Sequence, residues 1–225
     1  MYRSLIITLF TIISLISYGQ DRKPVEIGHF DEIRASGNVD VNLKKGDQVS
    51  AGYVSQGIDE DMIVIETKGN VLKASVKPGF HGDYNVKVYV TYQVLREIKA
   101  SASARVYLRD NLDGDKINLK STSGSLIDLE VAVNAVEANV DTGAEIKIRG
   151  EAGQLNVSSG TGAVFSGFKL NTDNAYLKTG TGGIIEVSVT DLIEASASTG
   201  GHIKYKGDPG KHIINETLGG SVTNE

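Results

Sequence analysis

The sequence predicts an all-β protein: a right-handed parallel β-helix or β-solenoid-like stack of about seven nineteen-residue coils, with an N-terminal β-rich capping region. Three observations predict it. The first is a glycine that recurs at Gly124, Gly143, Gly162, Gly182, Gly200 and Gly220, at spacings of 19, 19, 20, 18 and 20 residues. A glycine on a fixed beat marks a recurrent corner with positive φ, and self-similarity at this period is the mark of a repeat architecture. The second is the text around each glycine. INLKSTSGSLIDL from Ile117, VEANVDTGAEIKI from Val136, LNVSSGTGAVFSG from Leu155, AYLKTGTGGIIEV from Ala175 and IEASASTGGHIKY from Ile193 all alternate apolar and polar residues on both sides of the turn. Alternation is strand periodicity, and no useful helical stripe competes with it. The third is composition: 26 glycines against 3 prolines, with 40% hydrophobic residues in 225, a chain rich in turns yet able to fill a core.

Taken in order, residues 1–19 read as a signal peptide. Arg3 supplies the basic start, Leu5 to Ile16 the apolar run, and Ser17 and Gly19 the small residues before a cleavage site at Gln20. Removing this segment takes the formal charge from −5 to −6. Residues 20–28 form a short N-terminal segment, and residues 29–223 a single domain. Within it, 29–95 is a β cap and 96–223 the repeat coils. In the cap, Val39 to Leu43 alternates and runs into Lys44-Lys45-Gly46-Asp47, a hairpin signal. Met62 to Glu66 and Val71 to Val76 flank Lys68-Gly69-Asn70, a second hairpin signal, and Gln56 to Met62 reads as a loop or one helical turn. Pro78-Gly79 and His81-Gly82-Asp83 mark a loop before Tyr84 to Tyr92, a long strand with Val86, Val88 and Val90 on one face. This region is expected to cover the open edge of the first coil. Two weaker copies of the repeat, from Ile33 and Ile98, put Asn38 and Arg105 in the glycine slot. Leu218 to Glu225 is a weak cap or a frayed end.

Parity predicts the core. Ile117, Leu119, Val136, Ala138, Leu155, Val157, Leu177, Ile193 and Ala195 line one wall. Ile127, Leu129, Ile146, Ile148, Ile185, Val187, Ile203 and Tyr205 line the other. The residues before each corner, Ser121 and Ser123, Val140 and Thr142, Ser159 and Thr161, Thr179 and Thr181, Ala197 and Thr199, are expected to point inward as a hydroxyl-lined ladder.

Phe30-Asp31-Glu32-Ile33 with Asp40-Val41 and Gly46-Asp47, the alternating run before Leu95 to Ile98, the serial Ser-Thr-Ser-Gly and Gly-Thr-Gly turns, and Ile203-Lys204-Tyr205-Lys206-Gly207-Asp208-Pro209 carry a resemblance. Over residues 29–223 the chain resembles the family described as "putative auto-transporter adhesin, head GIN domain", common in exported proteins of Bacteroidetes. The resemblance implies a β-helical fold and an adhesin-like role.

Function classes narrow by exclusion. With 23 Lys and Arg against 28 Asp and Glu, the chain has no electrostatic footprint for nucleic acid. With no cysteine it has no disulfide, thiol chemistry or Cys-bound zinc. His29, His81, His202 and His212 fall in no metal spacing, although His202 and His212 lie on or near adjacent coils. Gly160-Thr161-Gly162 and Gly180-Thr181-Gly182 precede strands rather than helices and are not phosphate loops. No cofactor is expected, and no transmembrane span in the mature chain. A carbohydrate-active β-helix enzyme would need Asp128, Glu130, Asp141, Glu145 and Glu151 to converge, whereas Lys120, Lys147 and Arg149 among them suggest a solvated face. Tyr84, Tyr89 and Tyr92, with Tyr53 near, are the candidate binding surface, because exposed tyrosines stack on sugars and enrich protein contacts; the alternative is that they pack against the cap. The expected function is an exported, non-catalytic, adhesin-like binding module of the cell envelope with a glycan or protein partner. A purely structural envelope protein is the alternative, ahead of the enzyme.

Overall fold

The computed structural model describes residues 22–79 and 82–225. The expected signal segment, Phe80 and His81 lie outside them. Among the described residues, sixteen strands form one continuous sheet: β1 (Lys23–Val25), β2 (Glu32–Ser36), β3 (Val39–Lys45), β4 (Ser50–Gln56), β5 (Ile63–Lys68), β6 (Val71–Val76), β7 (Asn85–Tyr92), β8 (Glu97–Ser101), β9 (Arg105–Thr122), β10 (Leu126–Asp141), β11 (Glu145–Ser159), β12 (Val164–Thr179), β13 (Ile184–Ala197), β14 (His202–Lys206), β15 (Lys211–Glu216) and β16 (Ser221–Asn224). They wind into a parallel β-solenoid of about seven turns with coils of about 19 residues.

Each long strand bends and serves two walls. The first wall stacks β5, β6, β2 and β8, then the C-terminal parts of β9 to β13, and ends on β15. The second stacks β1, β4, β7 and β3, then the N-terminal parts of β9 to β13, then β14 and β16. Registration puts like on like. Ile98, Leu119, Ala138, Val157, Leu177 and Ala195 are successive partners in the first wall. Val41, Val106, Ile127, Ile146, Phe165, Ile185 and Ile203 are successive partners in the second. All are buried, as is every residue assigned to the two inward columns by parity. The interior between the walls is filled with side chains, each removed from water at a gain of roughly 25 cal/mol per Å² of apolar surface.

At most corners between the walls a two-residue turn has positive φ at both positions, while at the corner of Thr161 and Gly162 only Gly162 does (58°). The pairs are Ser123 and Gly124 (54° and 70°), Thr142 and Gly143 (54° and 66°), Thr181 and Gly182 (49° and 72°), and Thr199 and Gly200 (49° and 69°). This is type I′ geometry, which asks for glycine at the second position. Each turn closes on itself, as when Ala144 N–H donates to the Asp141 carbonyl at 3.3 Å. Each also bonds to the next coil. The N–H groups of Gly124, Gly143, Gly162, Gly182 and Gly200 donate to the carbonyls of Thr142, Thr161, Thr181, Thr199 and Leu218 at 2.9–3.2 Å.

Several local expectations change. The last corner is Leu218 and Gly219 (48° and 77°), so the slot is Gly219 rather than Gly220. Glycine at 220 answers a close approach instead, since a Cβ there would lie 2.4 Å from the Ala197 backbone. Arg105 does not hold a corner; Ala102 and Ser103 do (50° and 67°). Arg109 and Asp110 have no partners in β10, so this coil is longer and the beat slips there. At the Ile33 copy the positive φ falls on Gly37 (83°), and Val39 N–H donates back to the Gly37 carbonyl at 2.7 Å, a tighter turn about Asn38. Ser121, Val140, Ser159, Thr179 and Ala197 face inward, but Ser123, Thr142, Thr161, Thr181 and Thr199 are exposed, because the turn ends the alternation one residue earlier.

The N-terminal region is more than a lid. β2–β3 and β6–β7 are two further coils in the same walls, and β6–β7, later in the chain, is the outer one. The signal at Lys44 to Asp47 does not make a hairpin of β3 and β4, since β7 lies between them. The hairpin of β5 and β6 does form. The antiparallel strands β5 and β4, with β1 beyond β4, close this end of both walls. At the other end β16 continues the second wall where a frayed end was one expectation.

Two kinds of glycine should respond differently to alanine. Gly143 has open space where a Cβ would go, so Gly143→Ala should cost only the left-handed penalty of about 1 kcal/mol, and Gly143→Asn less. At Gly150 (φ 110°) a Cβ would lie 2.0 Å from the Val131 carbonyl oxygen, so Gly150→Ala should cost more than twice as much. Urea unfolding of the three variants checks the order.

Candidate functional site

The sequence-derived tyrosine cluster does not exist as one surface. β7 buries Val86, Val88, Val90 and, by the same parity, Tyr92. Tyr92 is 2% exposed, so it cannot present a face to solvent. Tyr89 points outward, with the Arg22 guanidinium 3.7 Å over its ring. Tyr84 packs partly buried against the core, and Tyr53, also buried, donates its hydroxyl to Glu60 at 3.2 Å.

Tyr92 instead leads to the floor of a hollow of about 560 Å³. The hollow exists because of a mismatch in coil shape. In β9 the segment 109–117 connects the two walls, and on its N-terminal side no described strand pairs with it. The loop 93–96 between β7 and β8 stands there instead, leaving a groove between this loop and Leu112 to Lys116. Leu112 (3% exposed) and Leu95 (6%) make its apolar floor with Tyr92, and Val94, 54% exposed, stands at its lip.

The charged rim is internally matched. Lys45 Nζ sits 2.6 Å from Asp113 Oδ1, Arg96 Nη1 2.9 Å from Asp31 Oδ2, and Lys116 Nζ 2.6 Å from Glu137 Oε2. Asn134 donates to Asp115 at 2.8 Å, and Gln93 Nε2 to the Asp47 carbonyl at 2.6 Å. The Lys45 ammonium holds the Asp113 carboxyl below the usual carboxylate range. Asp110, one of the two extra residues of this coil, accepts from Lys45 N–H at 3.3 Å. The Tyr92 hydroxyl is buried and makes no hydrogen bond among the described residues. Burial, reinforced by the Asp110 and Asp113 carboxylates, pushes its pKa up to about 12. An apolar floor under a rim in which Lys45, Arg96 and Lys116 are each ion-paired suits non-covalent binding.

The carboxylates weighed for glycosidase chemistry do not converge as a set; Asp128 and Glu130 share Arg149 and the others are engaged elsewhere. Asp128 accepts from Arg109 at 3.0 Å and Arg149 at 2.8 Å, Glu130 from Arg149 at 3.0 Å, and Glu145 pairs with Lys147 at 3.1 Å. Asp141 Oδ1 accepts from the Thr142 and Thr161 N–H groups at 2.7 and 2.8 Å, tying one corner to the next. Glu151 lies apart from them, beside Asn134 and Asp173 in a shallow hollow. His202 bonds Ser221 at 2.7 Å while His212 lies against Tyr205, so the two do not meet. Among the described residues no three His, Cys, Asp or Glu side chains are grouped to hold a metal ion, and no helix is long and apolar enough to cross a membrane.

Leu95, Leu112 and Val94 escape sequence reasoning. They are ordinary apolar residues, and the one local signal is the two-residue excess in β9 before Leu112.

Comparison with known proteins places these features in a lineage. The family model described as "Putative auto-transporter adhesin, head GIN domain" matches residues 29–209. Among solved structures, a "putative adhesin" from Bacteroides fragilis superposes with TM-score 0.80 at 17% identity, covering 91% of this chain and 96% of that one. A "putative adhesin" from Parabacteroides merdae gives 0.71 at 20%, covering 91% and 95%. A "putative lipid binding protein" from Parabacteroides distasonis gives 0.65 at 20%, covering 91% and 96%. At these identities the likeness is one of fold. No curated protein matches the chain.

Tyr92 gives a stability test. Its folded pKa lies above the unfolded value near 10, so its contribution is complete below pH 10 and is lost as pH rises toward 12. Tyr92→Phe should remove that part of the alkaline loss, and should raise the melting temperature at neutral pH by removing a buried hydroxyl without a hydrogen-bond partner among the described residues. Thermal unfolding at pH 8 and between pH 10 and 12 reads both effects.

Proposed function

The chain belongs to the head GIN domain family, and from that premise we propose that it is an exported, non-catalytic binding module of the cell envelope, adhesin-like in role. The groove under the loop 93–96 is its binding site. The observation that carries this reading is the groove itself: an apolar floor of Tyr92, Leu95 and Leu112 under a rim whose charges are already paired. Such a surface gains from burying apolar atoms of a partner without first stripping water from free charges. A solenoid offers its outer surface for binding, since its interior is packed. A glycan or protein ligand fits the mixed lining, which has amide groups from Gln93 and Asn118 at the rim. The signal-like segment at residues 1–19 supports export.

A second reading, lipid binding, is favoured by the apolar floor, and the name of the Parabacteroides distasonis neighbour supports it.

The location is tested by adding protease and a membrane-impermeant biotin reagent to intact cells, with a periplasmic protein as the protected control. Degradation or labelling is expected for a surface module. Protection until the outer membrane is opened would overturn the adhesin-like role. The ligand is tested on arrays of glycans and envelope proteins, with phospholipid vesicles in parallel. Val94→Asp at the exposed lip should reduce the signal at least about tenfold, the loss expected from placing an unpaired charge in the contact. It should leave the melting temperature within a few degrees. Equal binding by the variant would move the site elsewhere.

A further inference from the structure

The outer face of the second wall carries a hollow of its own, about 420 Å³, on β10 to β13 and apart from the groove beside Tyr92. A β-bulge in β12 makes it. Lys147 pairs with Ser166 and Arg149 with Lys169, so Gly167 and Phe168 together stand opposite the single residue Ile148. On the other side, Phe168, Lys169 and Leu170 are passed over in the pairing with β13. Alternation breaks at this point. Gly167 and Leu170 are buried, while Phe168 and Lys169 between them both border the outer hollow. Glycine at 167 answers a close approach, since a Cβ there would lie 2.7 Å from the Phe165 ring and 3.0 Å from the Glu186 carbonyl oxygen. Two contacts hold the bulge in place. Ser188 Oγ donates to the Phe168 carbonyl at 2.8 Å, and the Lys206 ammonium lies 4.4 Å over the Phe168 ring. The result is a half-buried aromatic ring, fixed in position, beside an outward column that is otherwise polar: Asp128, Lys147, Ser166, Glu186 and Lys204 are its successive partners.

We propose that this hollow binds a neutral hexopyranose unit of a glycan, with the apolar face of the sugar against Phe168. The charges around the ring select the ligand class. Arg149 is held by Asp128 and Glu130 at 2.8 and 3.0 Å, and Lys147 by Glu145 at 3.1 Å. Lys169 and Glu186 border the same hollow and, among the described residues, make no ion pair or side-chain hydrogen bond. The hollow therefore offers one free ammonium that donates and one free carboxylate that accepts, with the Ser166 hydroxyl able to do either. Sugar hydroxyls both donate and accept, so a neutral sugar satisfies both groups without bringing a charge of its own. An acidic sugar would gain Lys169 but set a carboxylate against Glu186, and an amino sugar would do the reverse. An apolar peptide side chain would strip water from both charges and return no hydrogen bond. An aromatic platform with a few convergent polar groups, in a volume within the range of small-molecule sites, fits such a ligand. The inference needs neither export nor the groove under the loop 93–96; it adds a second site to the same chain.

The test is affinity electrophoresis of the purified full chain in native gels that contain a soluble glucan, mannan or galactan, with a polyuronate gel beside them. At least one neutral polysaccharide should retard the chain, and more strongly than the polyuronate. Phe168→Ala should weaken that retardation at least about tenfold, and Phe168→Trp should keep it, because the ligand uses an aromatic face. Lys169→Ala and Glu186→Gln should each weaken it about threefold or more. The chain has no tryptophan, so Phe168→Trp also places a single fluorescent reporter in the hollow. Its emission should change and saturate on titration with the glycan that retards the chain. Val94→Asp, in the groove beside Tyr92, should leave this retardation unchanged, which separates the two sites. Failure of all three neutral polysaccharides to retard the chain, stronger retardation by the polyuronate, or a Phe168→Ala variant that binds like the parent would overturn the proposal. Loss of retardation in Val94→Asp alone would assign the binding to the groove and overturn it as well. If Phe168→Ala fails to fold, the exposed Lys169→Ala and the tryptophan reporter still decide.

Discussion

Everything in this molecule hangs on the corner at which each coil turns from one wall to the other. At most corners two successive residues hold positive φ, and the N–H of the second donates to the corner carbonyl of the next coil. The turn thus serves as a link in the intercoil ladder as well as a reversal. That double duty keeps the corners in line although coils differ by a residue, as between Gly162, Gly182 and Gly200, because register shifts elsewhere absorb the difference and preserve the parity of each wall. Where extra residues are tolerated they fall away from the corner, at Arg109 and Asp110 or in the irregular pairing around Gly167 to Asn171. Serine or threonine at the first corner position accepts a strained φ near 50° because glycine beside it carries the more demanding half of the turn.

A stack held this way has a full interior and a monotonous exterior. Isoleucine, leucine and valine fill the space between the walls, so no lumen is left for a ligand. On the outside, charged residues of adjacent coils pair with each other, as Arg149 does with Asp128 and Glu130. Selective binding then depends on interruptions of the regular coil. The groove beside Tyr92 is such an interruption. It lies where the connecting segment of β9 has no neighbouring strand, so that core residues Tyr92, Leu95 and Leu112 form its floor and, of its apolar residues, Val94 alone stands well exposed at its lip.

Legibility in the sequence follows the range of the interaction. The corner glycines are legible because left-handed backbone restricts residue type locally, and the inward columns because alternation is local too. The β5–β6 hairpin is read correctly for the same reason, its turn being the whole of the connection. The expected β3–β4 hairpin fails because Lys44 to Asp47 specifies a turn without specifying a partner, and β7 arrives later in the chain to claim both strands. Tyr92 shows a subtler failure. Grouping by residue type sets it with Tyr84 and Tyr89 on a surface, while counting parity from Val86 sends it inward. It does belong to the candidate site, but as floor rather than as a stacking platform. The groove as a whole is hidden because a missing neighbour is not written in any residue.

A parallel solenoid has no internal reason to stop, so each end must be closed by some device built from sequence outside the repeat. The N-terminal third closes one end by reversing strand direction, and it makes the groove as a by-product, since the same loops that carry the chain back also border Leu112.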